Sequence, residues 1–159
     1  MTSNIVIIDY GVGNILSIKN AVSFNGFNTI VTSDPEKIKK ASHIILPGVG
    51  AYPSAINKLK KMNLVDSIKE AKENNSYILG ICLGMQLLFS SSEEFEFTEG
   101  LDLIKGDIIK LKSKNKNSNL KLPNIGWRSL EKGFQDQNLS ILKDVPSDSK
   151  FYFVHSFAL

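Results

Sequence analysis

The sequence is poor in the residues that build disulfides and metal centres. One of its 159 residues is a cysteine and two are histidines. A single thiol excludes an internal disulfide, and one cysteine with two distant histidines does not have the spacing of a metal site. Cys82 is therefore either a small buried apolar residue or a reactive thiol.

Long apolar runs and strong charge are also missing. No apolar run approaches the roughly 20 residues of a membrane span, and the first residues lack the features of a signal peptide, so we expect a cytosolic protein. The formal net charge is only +3, and Arg128 is the one arginine. Because nucleic-acid surfaces cluster more basic residues, we expect neither nucleic acid nor a membrane as a partner.

Apolar strands alternate with helical patterns over the first half of the chain. Hydrophobic residues make up 42% of the sequence, enough for one core, and we predict a single domain over residues 1–159. The predicted strands are 5–8, 29–32, 43–46 and 77–81. Asn14 and Pro35 mark the start of two helices, and two more precede residue 77. This order predicts an α/β fold, with a mostly parallel central sheet and helices on both faces.

The pattern changes after Ser90. Residues 103–111 alternate between apolar and polar, which predicts the strands of a hairpin. The polar, lysine-rich segment 112–121 is a predicted loop, and 151–154 is a predicted last strand.

Cys82 lies between two glycines where the fourth predicted strand meets a helix predicted over 85–89. The sequence Gly80-Ile81-Cys82-Leu83-Gly84 has the pattern of a nucleophile elbow, with cysteine in place of serine. Such a turn raises the sulfur above the carboxyl ends of the strands, where open α/β sheets form their sites. The dipole of the following helix favours the thiolate, and a backbone N–H is free for an oxyanion.

A second glycine-rich loop, Pro47-Gly48-Val49-Gly50, follows the third predicted strand. By itself it is typical of an ordinary loop. Because the carboxyl ends of parallel strands meet at one edge of the sheet, this loop and the cysteine turn are expected to be neighbours. One can supply a nucleophile and the other an oxyanion donor.

These motifs together resemble the class I glutamine amidotransferases, in particular the glutaminase subunits of imidazole glycerol phosphate synthases. The resemblance covers the whole chain in order. The stretches that carry it are IIDYGVGN at the N-terminus, ILPGVGAY, GICLGMQLLF, PNIGW and FVHS. It implies a flavodoxin-like α/β fold, a Cys-His-Glu triad, and hydrolysis of glutamine through a glutamyl thioester.

Position by position, the resemblance implies that Cys82 is the nucleophile. It implies that backbone groups of Gly48 and Val49, with the N–H of Leu83 beside them, stabilise the oxyanion. It implies no metal and no organic cofactor.

The resemblance also implies how substrate and partner are bound. Gln86, His155 and Ser156 would line the glutamine pocket. Asn14 and Trp127 would lie toward a (β/α)₈-barrel cyclase, which forms a heterodimer with the glutaminase. The cyclase takes up the ammonia and makes imidazole glycerol phosphate in histidine biosynthesis.

One part of the family pattern is missing. The catalytic histidine and glutamate of the family lie in a His-Pro-Glu-Lys stretch, and the sequence has none. His43 is interpreted as a half-buried structural residue, and His155 keeps its substrate role. We therefore expect that the C-terminal part of the domain is missing, and that the 159-residue chain is inactive or very weak alone.

Three alternatives stay open at this point. The chain could be a truncated, non-catalytic module that binds the synthase barrel. It could be a related thiol hydrolase without specificity for glutamine, although Gln86 and the Pro47–Gly50 loop count against this. It could also be a similar amidotransferase subunit that serves the amidation of surface sugars.

Two further features have more than one interpretation. Glu93, Glu94 and Glu96 could act in acid/base chemistry, but a solvated loop is favoured. Trp127 could anchor an interface or pack in the core, and the sequence does not favour either.

Overall fold

The computed structural model describes residues 5–113, 121–130, 141–142, 144–146 and 148–159. They belong to two compact units, the first comprising Met1–Lys110 with Ala158–Leu159, and the second Leu111–Phe157. Among these residues, no helix combines the length and apolarity that crossing a membrane demands. The single domain expected for 1–159 stays a prediction.

The first unit begins with alternating strands and helices, as the sequence predicts. Its elements are β1 (Ile5–Ile8), α1 (Ile15–Phe24), β2 (Thr29–Thr32), α2 (Pro35–Lys39), β3 (His43–Leu46), α3 (Tyr52–Lys61), α4 (Leu64–Glu73), β4 (Tyr77–Gly80) and α5 (Leu83–Gln86). A second group of strands follows: β5 (Phe89–Ser92), β6 (Thr98–Glu99) and β7 (Ile104–Lys110). The short strand β10 (Phe157–Ala158) spans the boundary between the units, with only Ala158 in the first.

The first four strands form one parallel sheet in the order β2-β1-β3-β4. The connection from β1 to β2 runs in one direction across the sheet. The connections from β2 to β3 and from β3 to β4 run in the opposite direction. Because such crossovers are right-handed, α1 covers one face, while α2, α3 and α4 cover the opposite face. The predicted parallel sheet with helices on both faces is confirmed.

The core lies between the sheet and the three helices α2, α3 and α4. Alternate residues of the central strands point into it, including Val6, Ile8, Ile44 and Leu46. The helices contribute Ile38, Ala55, Ile56, Leu59, Leu64, Ile68 and Ala71. On the opposite face Ile7 and Ile45 are buried, but α1, which lies over it, has no buried residue of its own.

Side-chain caps fix where the first helices begin, as the sequence predicts. The Oδ1 atom of Asn14 accepts the Ser17 N–H at 3.2 Å. Asp34 accepts the Glu36 N–H at 3.0 Å, directly before Pro35 at the first position of α2. Each cap satisfies a backbone donor that the helix itself leaves unpaired.

A second sheet follows the cysteine turn, and it corrects two predictions. The predicted hairpin over 103–111 is wrong: one seven-residue strand, β7, runs parallel to β5. The predicted helix over 85–89 ends early, and Phe89 already belongs to β5. The alternation of apolar and polar residues does not distinguish one long strand from the two strands of a hairpin. A short apolar run is compatible with a helix as well as a strand.

The second unit contains an antiparallel pair, β8 (Asn124–Ser129) and β9 (Lys150–His155). The last strand predicted over 151–154 is confirmed within β9. The sequence did not predict β8. Of the loop predicted over 112–121, residues 114–120 lie outside the described part of the chain.

Core packing predicts a large difference between two leucine-to-alanine changes in helices. Leu59 in α3 is 0% exposed and Leu16 in α1 is 68% exposed. We expect Leu59→Ala to lower the free energy of unfolding by about 2–5 kcal/mol, because it leaves a cavity. Leu16→Ala should stay within about 0.5 kcal/mol of the parent. Urea unfolding with an unchanged m value measures both, and equal losses would contradict this core.

Candidate active site

Cys82 stands where β4 turns into α5. The N–H of Ile81 donates to the Leu46 carbonyl at 3.0 Å, which extends the contact between β3 and β4 up to the turn. Cys82 follows with φ 56° and ψ −121°, and its side chain is exposed. The strand–turn–helix geometry is the one expected from the sequence, and it presents the thiol at the carboxyl end of the strand.

The backbone of Cys82 is strained. Residues other than glycine rarely adopt a positive φ, and Asn and Asp tolerate it best. Among the described residues, only Cys82 and Phe95 have a positive φ without being glycine, Asn or Asp. Such strain costs about 1–3 kcal/mol and is typical of functional sites, where the surrounding structure enforces it.

The surrounding structure enforces this turn through close backbone contacts on both sides. A Cβ on Gly84 would overlap the Leu46 carbonyl oxygen, and a Cβ on Gly80 would overlap the backbone of Met85. Only glycine fits at either position. The turn is therefore packed backbone to backbone against the end of β3.

The helix after the cysteine is shorter than expected. It has four residues, Leu83–Gln86, so only one turn of aligned peptides follows the sulfur. The macrodipole expected from the sequence is therefore limited to a single turn, and its effect on the thiol stays a prediction. What remains next to Cys82 is the local backbone, with the buried Leu83 at its first helical position.

The loop Pro47–Gly50 lies directly against the cysteine turn. A Cβ on Gly48 would overlap the Gly84 nitrogen and approach the Leu83 side chain within 2.9 Å. Val49, the next residue, is 53% exposed. The structure thus brings together the two loops that the sequence predicted to be neighbours, with their backbones in contact.

Gln86 also belongs to this cluster. It lies one helical turn after the cysteine, and its N–H donates to the Cys82 carbonyl at 3.3 Å. Its side chain is half-buried. Of the residues assigned from the sequence, Cys82, Leu83, Gly48, Val49 and Gln86 therefore form one group in the first unit.

Glu94 has a role that the sequence reasoning missed. Glu93 and Glu96 are exposed in a loop, as expected. Glu94 is half-buried, and its Oε2 atom accepts the Tyr52 N–H at 2.7 Å. It therefore caps α3, the helix that follows the Pro47–Gly50 loop. No local sequence signal announces a cap that comes from 42 residues away.

His155 and Ser156, predicted to line the glutamine pocket, form hydrogen bonds within the second unit. The Nδ1–H of His155 donates to the Phe157 carbonyl at 3.0 Å, so Nε2 accepts from the Asn124 amide, also at 3.0 Å. The Ser156 carbonyl accepts the Leu111 N–H at 2.9 Å. Both ring nitrogens of His155 are thus engaged, and a proton-transfer role is not indicated.

Two residues predicted to face a partner are exposed. Trp127 is 64% exposed and makes an edge contact with Tyr152, with ring centroids 5.5 Å apart. It is therefore not packed in the core of the described residues, and its place in an interface stays a prediction. Asn14 is exposed and uses Oδ1 as the cap of α1.

His43 is a structural residue, as the sequence predicts. It is half-buried at the first position of β3, where its ring stacks on Tyr77 at 5.3 Å. These residues lie at the amino ends of their strands, whereas Cys82 follows a carboxyl end. In the described part of the chain, no group of three or more His, Cys, Asp or Glu residues could hold a metal ion.

The backbone contact at the turn makes Gly84→Ala a strongly destabilising change. The new methyl group would overlap the Leu46 carbonyl oxygen, so β3 and the turn must separate. We expect a loss of about 1–3 kcal/mol or more in the free energy of unfolding, measured in urea. Met85→Ala, at an exposed neighbouring side chain, is the control and should cost less. Full stability of Gly84→Ala would contradict the close contact.

Comparison with known proteins agrees with this geometry. The family profile Glutamine amidotransferase class-I matches residues 6–159. The imidazole glycerol phosphate synthase subunit HisH of Lactococcus lactis is 44% identical over 153 residues, 96% of this chain and 72% of that protein. A HisH subunit of Legionella pneumophila is 40% identical over 158 residues, 98% of this chain and 74% of its own length. The HisH 2 subunit of Vibrio vulnificus is 45% identical over 154 residues, 96% of this chain and 69% of that protein.

The fold is found again in a crystal structure of a glutamine amidotransferase. The TM-score is 0.62 at 15% identity, and the match covers 78% of this chain and 62% of that chain, less than two thirds of its length. This likeness concerns the fold alone and agrees with a flavodoxin-like sheet. The profile match and the similarity to HisH subunits together establish that the chain belongs to the class I glutamine amidotransferase family.

Proposed function

We propose that this chain is a glutaminase subunit that releases ammonia from glutamine for imidazole glycerol phosphate synthesis. The observation that carries the proposal is the strained, exposed Cys82, on a turn whose Leu83–Gly84 backbone packs against Gly48. Its relatives are named as HisH subunits of that synthase, which supports imidazole glycerol phosphate synthesis as the reaction that uses the ammonia. We include in the proposal a single domain, because the family match runs across both units. The proposal also includes a cytosolic location.

The first step is the attack of the Cys82 thiolate on the side-chain amide carbon of glutamine. A C–S bond forms, and the carbonyl electron pair moves onto oxygen. Backbone N–H groups of Leu83, Gly48 and Val49 are the proposed donors to this oxyanion. Each donor of this kind contributes about 10²–10³ in rate, because it is oriented before charge develops.

The tetrahedral intermediate then collapses. The C–N bond breaks, the nitrogen takes up the proton that the Cys82 thiol released on forming the thiolate and leaves as ammonia, and a glutamyl thioester remains on Cys82. Water attacks this thioester, which releases glutamate and returns the thiol. The balance is glutamine plus water to glutamate plus ammonia, without a metal or cofactor.

Neither histidine of the chain is assigned the proton transfer. His43 lies at the amino end of β3, and both ring nitrogens of His155 are hydrogen-bonded within its own unit. A missing general acid/base costs about 10²–10⁴ in rate. We therefore expect slow turnover by the chain alone, and we choose a test that depends only on the first attack.

Gln86, His155 and Ser156 are proposed to bind the substrate glutamine. Gln86 is the best supported, because it lies one turn after the nucleophile and its backbone is tied to the Cys82 carbonyl. The proposed partner is a (β/α)₈-barrel cyclase that receives the ammonia in a heterodimer. The exposure of Asn14 and Trp127 suits the two residues proposed to face it.

Covalent labelling of Cys82 tests the glutaminase proposal. Diazo-oxo-norleucine resembles glutamine and alkylates a nucleophile held at its reactive carbon. We expect one adduct per chain by mass spectrometry, located on Cys82, and slower labelling in the presence of glutamine. The variant Cys82→Ala should show no adduct, because the sequence has no other cysteine.

The outcomes separate the alternatives that the sequence left open. Labelling without protection by glutamine would indicate a thiol hydrolase with another substrate. Absence of labelling in a folded chain would contradict the glutaminase and favour a non-catalytic binding module.

Trp127→Ala tests the proposed partner surface. An exposed tryptophan that becomes buried in an interface typically contributes about 2 kcal/mol, so we expect Kd for the cyclase subunit to rise about thirty-fold. Phe97→Ala is the control, because Phe97 is also exposed but belongs to no proposed contact. Calorimetric titration measures both, and equal affinities of Trp127→Ala and the parent chain would remove Trp127 from the interface.

A further inference from the structure

Tyr10 connects the end of β1 to the loop beside the nucleophile. Its side chain is 1% exposed, and its hydroxyl donates to the Pro47 carbonyl at 2.7 Å across 37 residues of sequence. β1 and β3 are adjacent parallel strands, so Tyr10 and Pro47 leave the same edge of the sheet. A tyrosine hydroxyl is thus buried directly under the Pro47–Gly50 loop.

This hydrogen bond fixes the orientation of the whole Pro47–Gly48 peptide. The Pro47 carbonyl and the Gly48 N–H belong to one planar peptide, so fixing the oxygen also fixes the direction of the N–H. Glycine at the next position would otherwise allow this peptide many orientations. The Gly48 backbone in turn lies against Leu83 and Gly84 in the cysteine turn.

The segment that carries Tyr10 is itself held against the loop. Gly13 packs on the Pro47 ring so closely that a Cβ there would come within 2.7 Å of the Pro47 Cβ. The Nζ atom of Lys58 in α3 donates to the Gly11 carbonyl at 3.2 Å. The tyrosine is therefore a fixed donor and does not belong to a freely moving loop.

Burial also keeps the Tyr10 hydroxyl protonated. Desolvation raises the pKa of Tyr10 well above its usual value of 10.0. Its hydroxyl therefore stays protonated over the whole neutral and mildly alkaline range. Deprotonation of Tyr10 therefore does not break the hydrogen bond to Pro47 in this range.

We propose that Tyr10 is a positioning residue for the proposed oxyanion site. Its hydroxyl fixes the Pro47–Gly48 peptide and thereby sets the backbone N–H groups of Gly48 and Val49 beside Cys82. This inference rests on the glutaminase function proposed above. Tyr10 touches no reacting atom and acts only through the loop.

The chain offers a matched control for this role. Tyr52 is also a fully buried tyrosine, and its hydroxyl has no hydrogen-bond partner among the described residues. Tyr10→Phe and Tyr52→Phe therefore each remove one buried hydroxyl, but only the first removes a bond to the loop. Tyr52→Phe leaves the backbone N–H that Glu94 caps in place.

The test compares two reagents on Cys82 in the full chain. Labelling by diazo-oxo-norleucine needs the aligned site, whereas alkylation by iodoacetamide needs only an accessible thiol. We expect Tyr10→Phe to slow the glutamine-protected labelling about tenfold, less than the 10²–10³ for complete loss of an oxyanion donor. Its iodoacetamide rate, and both rates of Tyr52→Phe, should equal those of the parent chain.

Amide hydrogen exchange of Gly48 and Val49 decides the same question independently of glutaminase activity. We expect both amides to exchange several-fold faster in Tyr10→Phe and at parental rates in Tyr52→Phe. Unchanged exchange would overturn the inference, and so would equal slowing by both reagents, which indicates a purely structural role. If the parent chain is not labelled but the exchange effect is found, the glutaminase proposal fails and the loop-positioning role of Tyr10 stands.

Discussion

The contact between the cysteine turn and the end of β3 is the constraint on which the site depends. Leu46 accepts a hydrogen bond from Ile81, and its carbonyl oxygen also lies where a side chain on Gly84 would be. The strained backbone of Cys82 persists because both flanks of the turn are fixed in this way. The same contact sets the distance between the turn and the Pro47–Gly50 loop, since that loop is the direct continuation of β3.

Most of the parallel sheet could be predicted because its signals are local. Short apolar runs separated by capped helices define β1 to β4, and handedness then distributes the helices over the two faces. The chain after Gln86 was harder, because local patterns there suit more than one structure. Leu87 and Leu88 continue an apolar run, but the chain leaves the helix to pair β5 with β7, and that choice depends on contacts distant in sequence.

The candidate site also has parts that local sequence predicts and parts that depend on contacts distant in sequence. Cys82 and the two glycine-rich loops were identified from residues adjacent in sequence. The contacts of Tyr10 and Glu94 were missed because their partners lie 37 and 42 residues away. A tyrosine directly after a buried strand, in a loop between Asp9 and Gly11, was the only local hint that a hydroxyl would be buried at this edge.

The uneven cover of the first sheet has a consequence for its dynamics. An isolated helix shorter than about 12–15 residues is marginal in water, and the ten-residue α1 places no side chain fully in the core. Its hydrogen bonds can therefore open at a smaller free energy than those of β1 and β3 beneath it. We therefore expect α1 to open without disturbing the strands that carry the site.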